Sequence, residues 1–305
     1  MTHEKPKILL GPSSFAELDR GPLEALKKLD YEIVDNPYKR KLTKDEILTL
    51  LSENVVGLIA GLEPLDKAVL EHSRLKVISR VGSGLSNIDL DAADKLGIKI
   101  CSTPDGPTEA VSELTLGVLL NLIRMVPQMD SDLHQGKWRK KIGVQLKDKT
   151  IAIIGFGKIG RRLAELLSPF QVKILVVDPF LDKNSTEYSV VSLETALSQA
   201  DVVTIHSSGD KCLLGDYEFS IMKDGMFLLN AARGGLISEP SLIKALDDGK
   251  VAGAWLDTFS NEPYQGELAS YTQVILTPHV GSYTLECRKQ MEMEAVENLI
   301  NALQH

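Results

Sequence analysis

Cysteine is scarce in this chain of 305 residues: there are three, at Cys101, Cys212 and Cys287, far apart and odd in number. That excludes a disulfide framework. They have no metal-ligand spacing, so no metal is expected, and each thiol reads as a small buried side chain in a reducing compartment. Long apolar runs are missing too, and none approaches the roughly 18 residues that span a bilayer. The opening MTHEKPKILL has no charged-then-apolar signal segment, so the expected location is the cytoplasm. Positive charge is not in excess: 34 Lys and Arg stand against 42 Asp and Glu, for a formal charge of −8. Phosphate backbones are bound by the opposite balance, so nucleic acid is not an expected partner. The one basic cluster, Lys137 to Lys141, reads as a solvated or subunit-contact surface. Low-complexity segments, short repeats and Pro/Gly-rich tethers are also absent, which favours domains joined by structured elements.

What is present is an α/β pattern. The length allows two domains with separate cores, and 43% hydrophobic with 25% charged residues is a soluble globular composition. Short apolar runs alternate with segments of helical period, as in folds with mostly parallel strands. KILL, YEIV, VVGLIA, LKVISRV and IKIC read as strands of a first series. TIAIIG, KILVVD, ADVVTIH, GMFLLN, VAGAWLD and QVILTP form a second. Between them PTEAVSELTLGVLLNLIRMV predicts one long helix, and residues 283–303 predict another. Thr43 and Glu46 have the spacing of a capping box.

GFGKIG, Gly155 to Gly160, has the G-x-G-x-x-G spacing, which alone is weak evidence. Its context strengthens it: a strand runs in, a helix runs out, and the next strand ends in Asp178. Gly155 suits a tight turn, Gly157 the approach of a pyrophosphate, and Gly160 close packing of helix on sheet. The amides of Lys158 and Ile159 at the helix start favour an anion. A carboxylate at Asp178 accepts from a free ribose hydroxyl and repels a 2′-phosphate, and Pro179 follows rather than an arginine. The expected cofactor is NAD.

Arg233 in NAARGGL, Glu262 in DTFSNEP and His279 in TPHVGS each follow a strand-like run. In open parallel sheets, ligands collect at the carboxyl ends of the strands. Hydride transfer at a secondary alcohol needs a proton acceptor, a cation for the carbonyl oxygen and a group that tunes the acceptor. His, Arg and Glu supply these.

With GFGKIG, NAARGGLISE, DTFSNEP and LTPHVGS, the chain resembles the D-isomer-specific 2-hydroxyacid dehydrogenases. RVGSGLSNIDLDAA and STPDGPTEAVSELTLG extend the resemblance over nearly the whole length. It is nearest to the short D-3-phosphoglycerate dehydrogenase-like members. The resemblance implies two Rossmann- or flavodoxin-like domains with mostly parallel sheets. A nucleotide-binding domain, 104–282, is inserted into a substrate-binding domain formed by 1–103 with 283–305.

The resemblance also implies roles. Arg233 binds the substrate carboxylate and its C2 oxygen, His279 moves the hydroxyl proton, and Glu262 holds the other ring nitrogen and favours the imidazolium. His206, Ala231, Arg233 and Asp257 join the cofactor set, and Val81, Gly82 and Ser83 offer amides to the carboxylate. Two stretches depart from the family. Ser207, Ser208 and Gly209 stand where a proline is common, and AGLEP lacks the arginine of some phosphoglycerate-specific relatives. Arg80 is then the matching cation for a substrate phosphate. The implied assembly is a homodimer with Asn121 to Gly143 as its arm. The expected function is interconversion of a small D-2-hydroxy acid and its keto acid. 3-Phosphoglycerate, glycerate with hydroxypyruvate, and glyoxylate remain open as substrates. An NAD-sensing, corepressor-like binding protein is the alternative from another class.

Overall fold

The computed structural model describes residues 5–51, 54–182, 185–209 and 211–304; the first four residues of the N-terminal stretch lie outside them. The chain divides into two compact units, one of Met1–Pro107 with Ser282–His305 and the other of Thr108–Gly281. They are called unit 1 and unit 2 below.

Unit 1 holds β1 (Lys7–Leu10), β2 (Glu32–Val34), β3 (Val55–Ala60), β4 (Val77–Arg80) and β5 (Lys99–Ser102), in the order β2-β1-β3-β4-β5. Every pairing is parallel. All six residues of β3 are buried, as a strand covered on both faces requires. One face packs on a cluster that includes Leu58, Leu70 and Ile78. The other lies under the helix Leu285–Gln304, whose Met291, Ala295 and Leu299 are buried. The expected capping box is present: Thr43 Oγ1 accepts from Glu46 N at 3.4 Å, and Glu46 Oε2 from Thr43 N at 2.9 Å.

Unit 2 holds β6 (Thr150–Ile154), β7 (Lys173–Val177), β8 (Ser189–Val190), β9 (Val202–Ile205), β10 (Met226–Asn230), β11 (Val251–Leu256) and β12 (Val274–Leu276). Their order is β12-β11-β10-β9-β6-β7-β8, again all parallel. The direction of winding reverses between β6 and β9, the place where doubly wound sheets open a crevice. Two apolar clusters cover its faces, one including Leu197, Leu228 and Leu242, the other Leu119, Leu163 and Trp255. Each such fully buried side chain contributes about 1.5 to 3 kcal/mol.

Two expectations need correcting. The short strand β8 was not foreseen, and the helix expected over 107–126 stops at Ile123. A second helix, Val126–His134, leaves at 66°. Pro127 in its first turn has no amide to donate, Met125 is left-handed at φ 55°, and the carbonyl of Ile123 accepts from Val144 N at 3.0 Å instead. Among the described residues no single helix is long and apolar enough to cross a membrane.

Candidate active site

The glycine turn begins where β6 ends. Gly155 has φ 91°, and a Cβ there would overlap the backbone of His206 and Ser207. A Cβ on Gly160 would overlap the carbonyl of Gly155, whereas one on Gly157 would meet nothing within 4 Å. The middle glycine therefore faces open space, as an approaching phosphate requires. The helix Lys158–Leu167 starts from Gly157 without a side-chain cap, so no capping residue competes for its first-turn amides. Asp178, just past β7, accepts from Phe156 N at 2.8 Å and Phe180 N at 3.0 Å. Those two bonds fix its carboxylate beside the turn.

Three buried polar atoms at the carboxyl edge of this sheet have no hydrogen-bond partner among the described residues: His206 Nδ1, Ser207 Oγ and Thr258 Oγ1. Buried polar atoms are rarely left without partners, so a polar ligand such as a dinucleotide fits this edge. Thr258 escaped the sequence reading, and Ser207 entered it only as a departure from the family pattern; their places two residues beyond a strand were the signal available.

His206 Nε2 lies 2.8 Å from Thr204 Oγ1, and burial pushes the ring down to about 4 from its usual 6.5. A depressed histidine contributes stability in full above the unfolded value and loses it as pH falls toward the folded one. Wild type should therefore lose roughly 2 to 3 kcal/mol more than His206→Asn between pH 7 and pH 4. Urea unfolding at the two pH values measures this, and equal losses in both proteins would refute it.

Arg233, Glu262 and His279 follow β10, β11 and β12, which are neighbours in the sheet. The structure brings two of them into direct contact: His279 Nδ1 lies 3.1 Å from Glu262 Oε2. Glu262 Oε1 accepts from Phe259 N at 3.1 Å, which aims the carboxylate. Both side chains are partly exposed, His279 at 35% and Glu262 at 26%. With Nδ1 donating to the carboxylate, Nε2 is the nitrogen left to exchange a proton.

His279 is left-handed, at φ 55°, an uncommon state for a side chain of this size. Asp257 explains how it is held. This buried carboxylate accepts from Thr277 Oγ1 at 2.6 Å, Val280 N at 2.8 Å and Gly281 N at 2.8 Å. Asp257 was expected among the cofactor contacts. Its three bonds hold the loop that carries His279, because the two following amides fall within its reach, and they leave acceptor capacity on its oxygens for a cofactor.

Arg233 sits on a turn built by Asn230, whose Nδ2 donates to Arg233 O at 2.8 Å and whose Oδ1 accepts from Ala232 N at 3.0 Å. Arg233 Nη1 donates to Ala232 O at 2.7 Å, and the half-buried Ala231 opens the turn. A Cβ on Gly234 would overlap the backbone of Phe259 and Ser260. The glycine is thus what lets the arginine turn press against the Glu262 turn.

In unit 1, Arg80 ends β4 and Val81, Gly82 and Ser83 follow. Val81 N donates to Ala60 O at 2.9 Å, and Gly82 N to Thr103 Oγ1 at 2.7 Å. Each amide has one hydrogen to give, so the expectation that both face a substrate carboxylate does not describe this structure. Arg80 is buried, and its Nη1 donates to the carbonyl of Val81.

Known proteins are similar to this chain in sequence and in fold. Residues 116–281 match the family described as D-isomer specific 2-hydroxyacid dehydrogenase, NAD binding domain. A hydroxypyruvate reductase of Thermotoga maritima is 34% identical over 86% of this chain and 89% of its own. A D-3-phosphoglycerate dehydrogenase of Archaeoglobus fulgidus is 32% identical over 86% of this chain, which spans about half of that longer relative, 52%. Among solved structures, a glyoxylate reductase from Paecilomyes thermophila superposes with a TM-score of 0.88 at 28% identity, covering 98% of this chain and 96% of that one.

Proposed function

Because the chain belongs to the D-isomer-specific 2-hydroxyacid dehydrogenases, we propose that it interconverts a small D-2-hydroxy acid and its 2-keto acid with NAD. The contact of His279 with Glu262 carries this reading: a histidine with one nitrogen held by a carboxylate and the other available is built to move a proton. The glycine turn and the lone polar atoms at the ends of β9 and β11 support the cofactor.

When bound, NAD accepts or returns a hydride at its nicotinamide. In oxidation His279 Nε2 takes the hydroxyl proton, and in reduction it gives the proton to the carbonyl oxygen. Glu262 keeps the ring in one tautomer and offsets its positive charge. Arg233 holds the substrate's carboxylate and polarises its C2 oxygen with a planar fork of donors that lysine lacks. Asp257 keeps the histidine loop in its left-handed bend. A second copy of the chain is the proposed partner, since Leu133, Trp138 and Ile142 in the stretch 121–143 are 55%, 80% and 97% exposed.

The test is oxidation of NADH against glyoxylate, pyruvate, hydroxypyruvate and 3-phosphohydroxypyruvate. At least one keto acid should turn over, and NADH should be favoured over NADPH by about 100-fold in kcat/KM, the loss of two contacts of about 1.5 kcal/mol each. Equal use of both cofactors would remove the role given to Asp178. Tight NADH binding with no turnover of any acid would favour a nucleotide-sensing binding protein instead.

A further inference from the structure

Glu262 sits six positions past Leu256, the last residue of β11, on a loop with no helix or strand before the turn Glu267–Ser270. A carboxylate carried that far from its strand needs anchors beyond its own backbone to meet His279 in one geometry. The anchors lie on the same loop and on the segment after Arg233. Tyr264 stacks on Phe259, with ring centres 4.3 Å apart and planes 23° apart, and Phe259 N is the donor that aims Glu262 Oε1. Both rings pack against the apolar cluster that includes Leu228 and Leu242. The Tyr264 hydroxyl donates to Glu239 Oε1 at 2.6 Å and accepts from Leu268 N at 3.1 Å, so both of its roles are filled. A Cβ on Gly266 would overlap the phenol, so the loop closes directly over the ring. Burial, and after it the bond to Glu239, push the hydroxyl up to about 12, so the donor keeps its proton far above neutral pH.

Glu239 opens the helix Glu239–Asp247, six positions after Arg233. That segment already presses on the Glu262 loop at Gly234, where a Cβ would overlap Phe259 and Ser260. The loop is therefore tied to the arginine segment at two points, the glycine contact and the bond from Tyr264 to Glu239. The Arg233 turn has a support of its own in Asn230, which bonds to Ala232 N and Arg233 O. The Glu262 loop is thus the side that depends on the tie.

We infer that Tyr264 and Glu239 are positioning residues for the proton transfer: their hydrogen bond, passed on through the stack of Tyr264 on Phe259, fixes the Glu262 carboxylate against His279. The inference rests on the dehydrogenase reading above. A general acid-base group works only within hydrogen-bond reach of the proton it moves, and a displacement of about 1 Å costs about 10²-fold in rate. Without the bond to Glu239 the loop loses the register in which Phe259 N meets Glu262. The arginine turn keeps its own bonds, so the grip on the substrate carboxylate persists.

The experiment measures kcat and KM for a keto acid that wild type reduces, beside the NADH dissociation constant, in Tyr264→Phe, Glu239→Ala, their double variant and Glu239→Gln. Phenylalanine keeps the stack and removes the hydroxyl, and glutamine keeps an acceptor for that hydroxyl. Tyr264→Phe and Glu239→Ala should each lower kcat by about tenfold or more, with KM and NADH affinity within about threefold of wild type. The double variant should be no worse than the poorer single one, because both remove the same bond. Glu239→Gln should recover most of the loss seen with alanine. Unchanged kcat, a rise in KM in place of a fall in kcat, additive losses, or glutamine as damaging as alanine would each overturn the inference alone. Should one single variant fail to fold, the kcat and KM of the other still decide. No turnover of any keto acid by wild type, with NADH still bound, would overturn the dehydrogenase reading and the inference together.

Discussion

His279→Ala is expected to lower kcat by about 10² to 10⁴ in both directions, the usual contribution of a general acid-base group. The ring's Nδ1 is tied to Glu262 Oε2 at 3.1 Å, so Nε2 alone remains to exchange a proton, and alanine offers nothing in its place. The loop should survive the change. Its shape is held by Asp257 through Val280 N and Gly281 N and by His279 N donating to Thr277 O at 2.9 Å, none of which involves the imidazole. Alanine inherits the same left-handed backbone, so no new strain is introduced. The measurement is kcat with saturating keto acid beside the NADH dissociation constant from fluorescence. Retained NADH affinity with collapsed turnover is the expected pair of results. A kcat within about fivefold of wild type would take the proton-transfer role away from His279.

Arg233→Ala should lower kcat/KM by about 10² to 10⁴, because two charge-assisted hydrogen bonds of about 1.5 to 3 kcal/mol each disappear from the substrate. Arg233→Lys should recover less than about tenfold of that loss, since a point charge cannot donate two parallel bonds to one carboxylate. Neither change should unfold the turn. Asn230 bonds to the backbone of Ala232 and Arg233, and Gly234 packs on Phe259 and Ser260; both contacts are indifferent to the arginine side chain. Steady-state kinetics on the three proteins, with circular dichroism as a check on folding, decides the matter. Full rescue by lysine would mean that Arg233 supplies only charge, and an alanine variant of near wild-type efficiency would place the carboxylate elsewhere.

The sequence by itself determined what depends on neighbours along the chain. Apolar runs of strand length followed by helical periods place β1, β3, β4 and the strands of unit 2 other than β8 in order, because alternation and helical period are local consequences of backbone geometry. The turn Gly155–Gly160, the capping box of Thr43 and Glu46, and the position of Asp178 beyond β7 are local in the same sense. Even here locality has limits. Pro127 lies one residue past the apolar run that predicts a single helix, and the carbonyl of Ile123 finds its partner in Val144, 21 positions on.

Only the tertiary structure decided which polar groups meet. Motif spacing puts Glu262 and His279 at two strand ends, but the adjacency of β11 and β12 brings them to 3.1 Å. The clamp that Asp257 puts on the histidine loop has no signal in the sequence, because it forms only when Val280 and Gly281 fold back onto that carboxylate. Val81 and Gly82 read as donors to a carboxylate, yet Ala60 and Thr103, brought alongside by the sheet, take those hydrogens first. The pairing of Arg288 with Glu292 could be suspected from helical spacing. Their ties to Ser14 and Ala16, 274 and 276 positions away, could not. The physical reason is the same in each case. A buried donor or acceptor takes the partner that the fold places within about 3 Å, and that distance is set by how strands and helices pack.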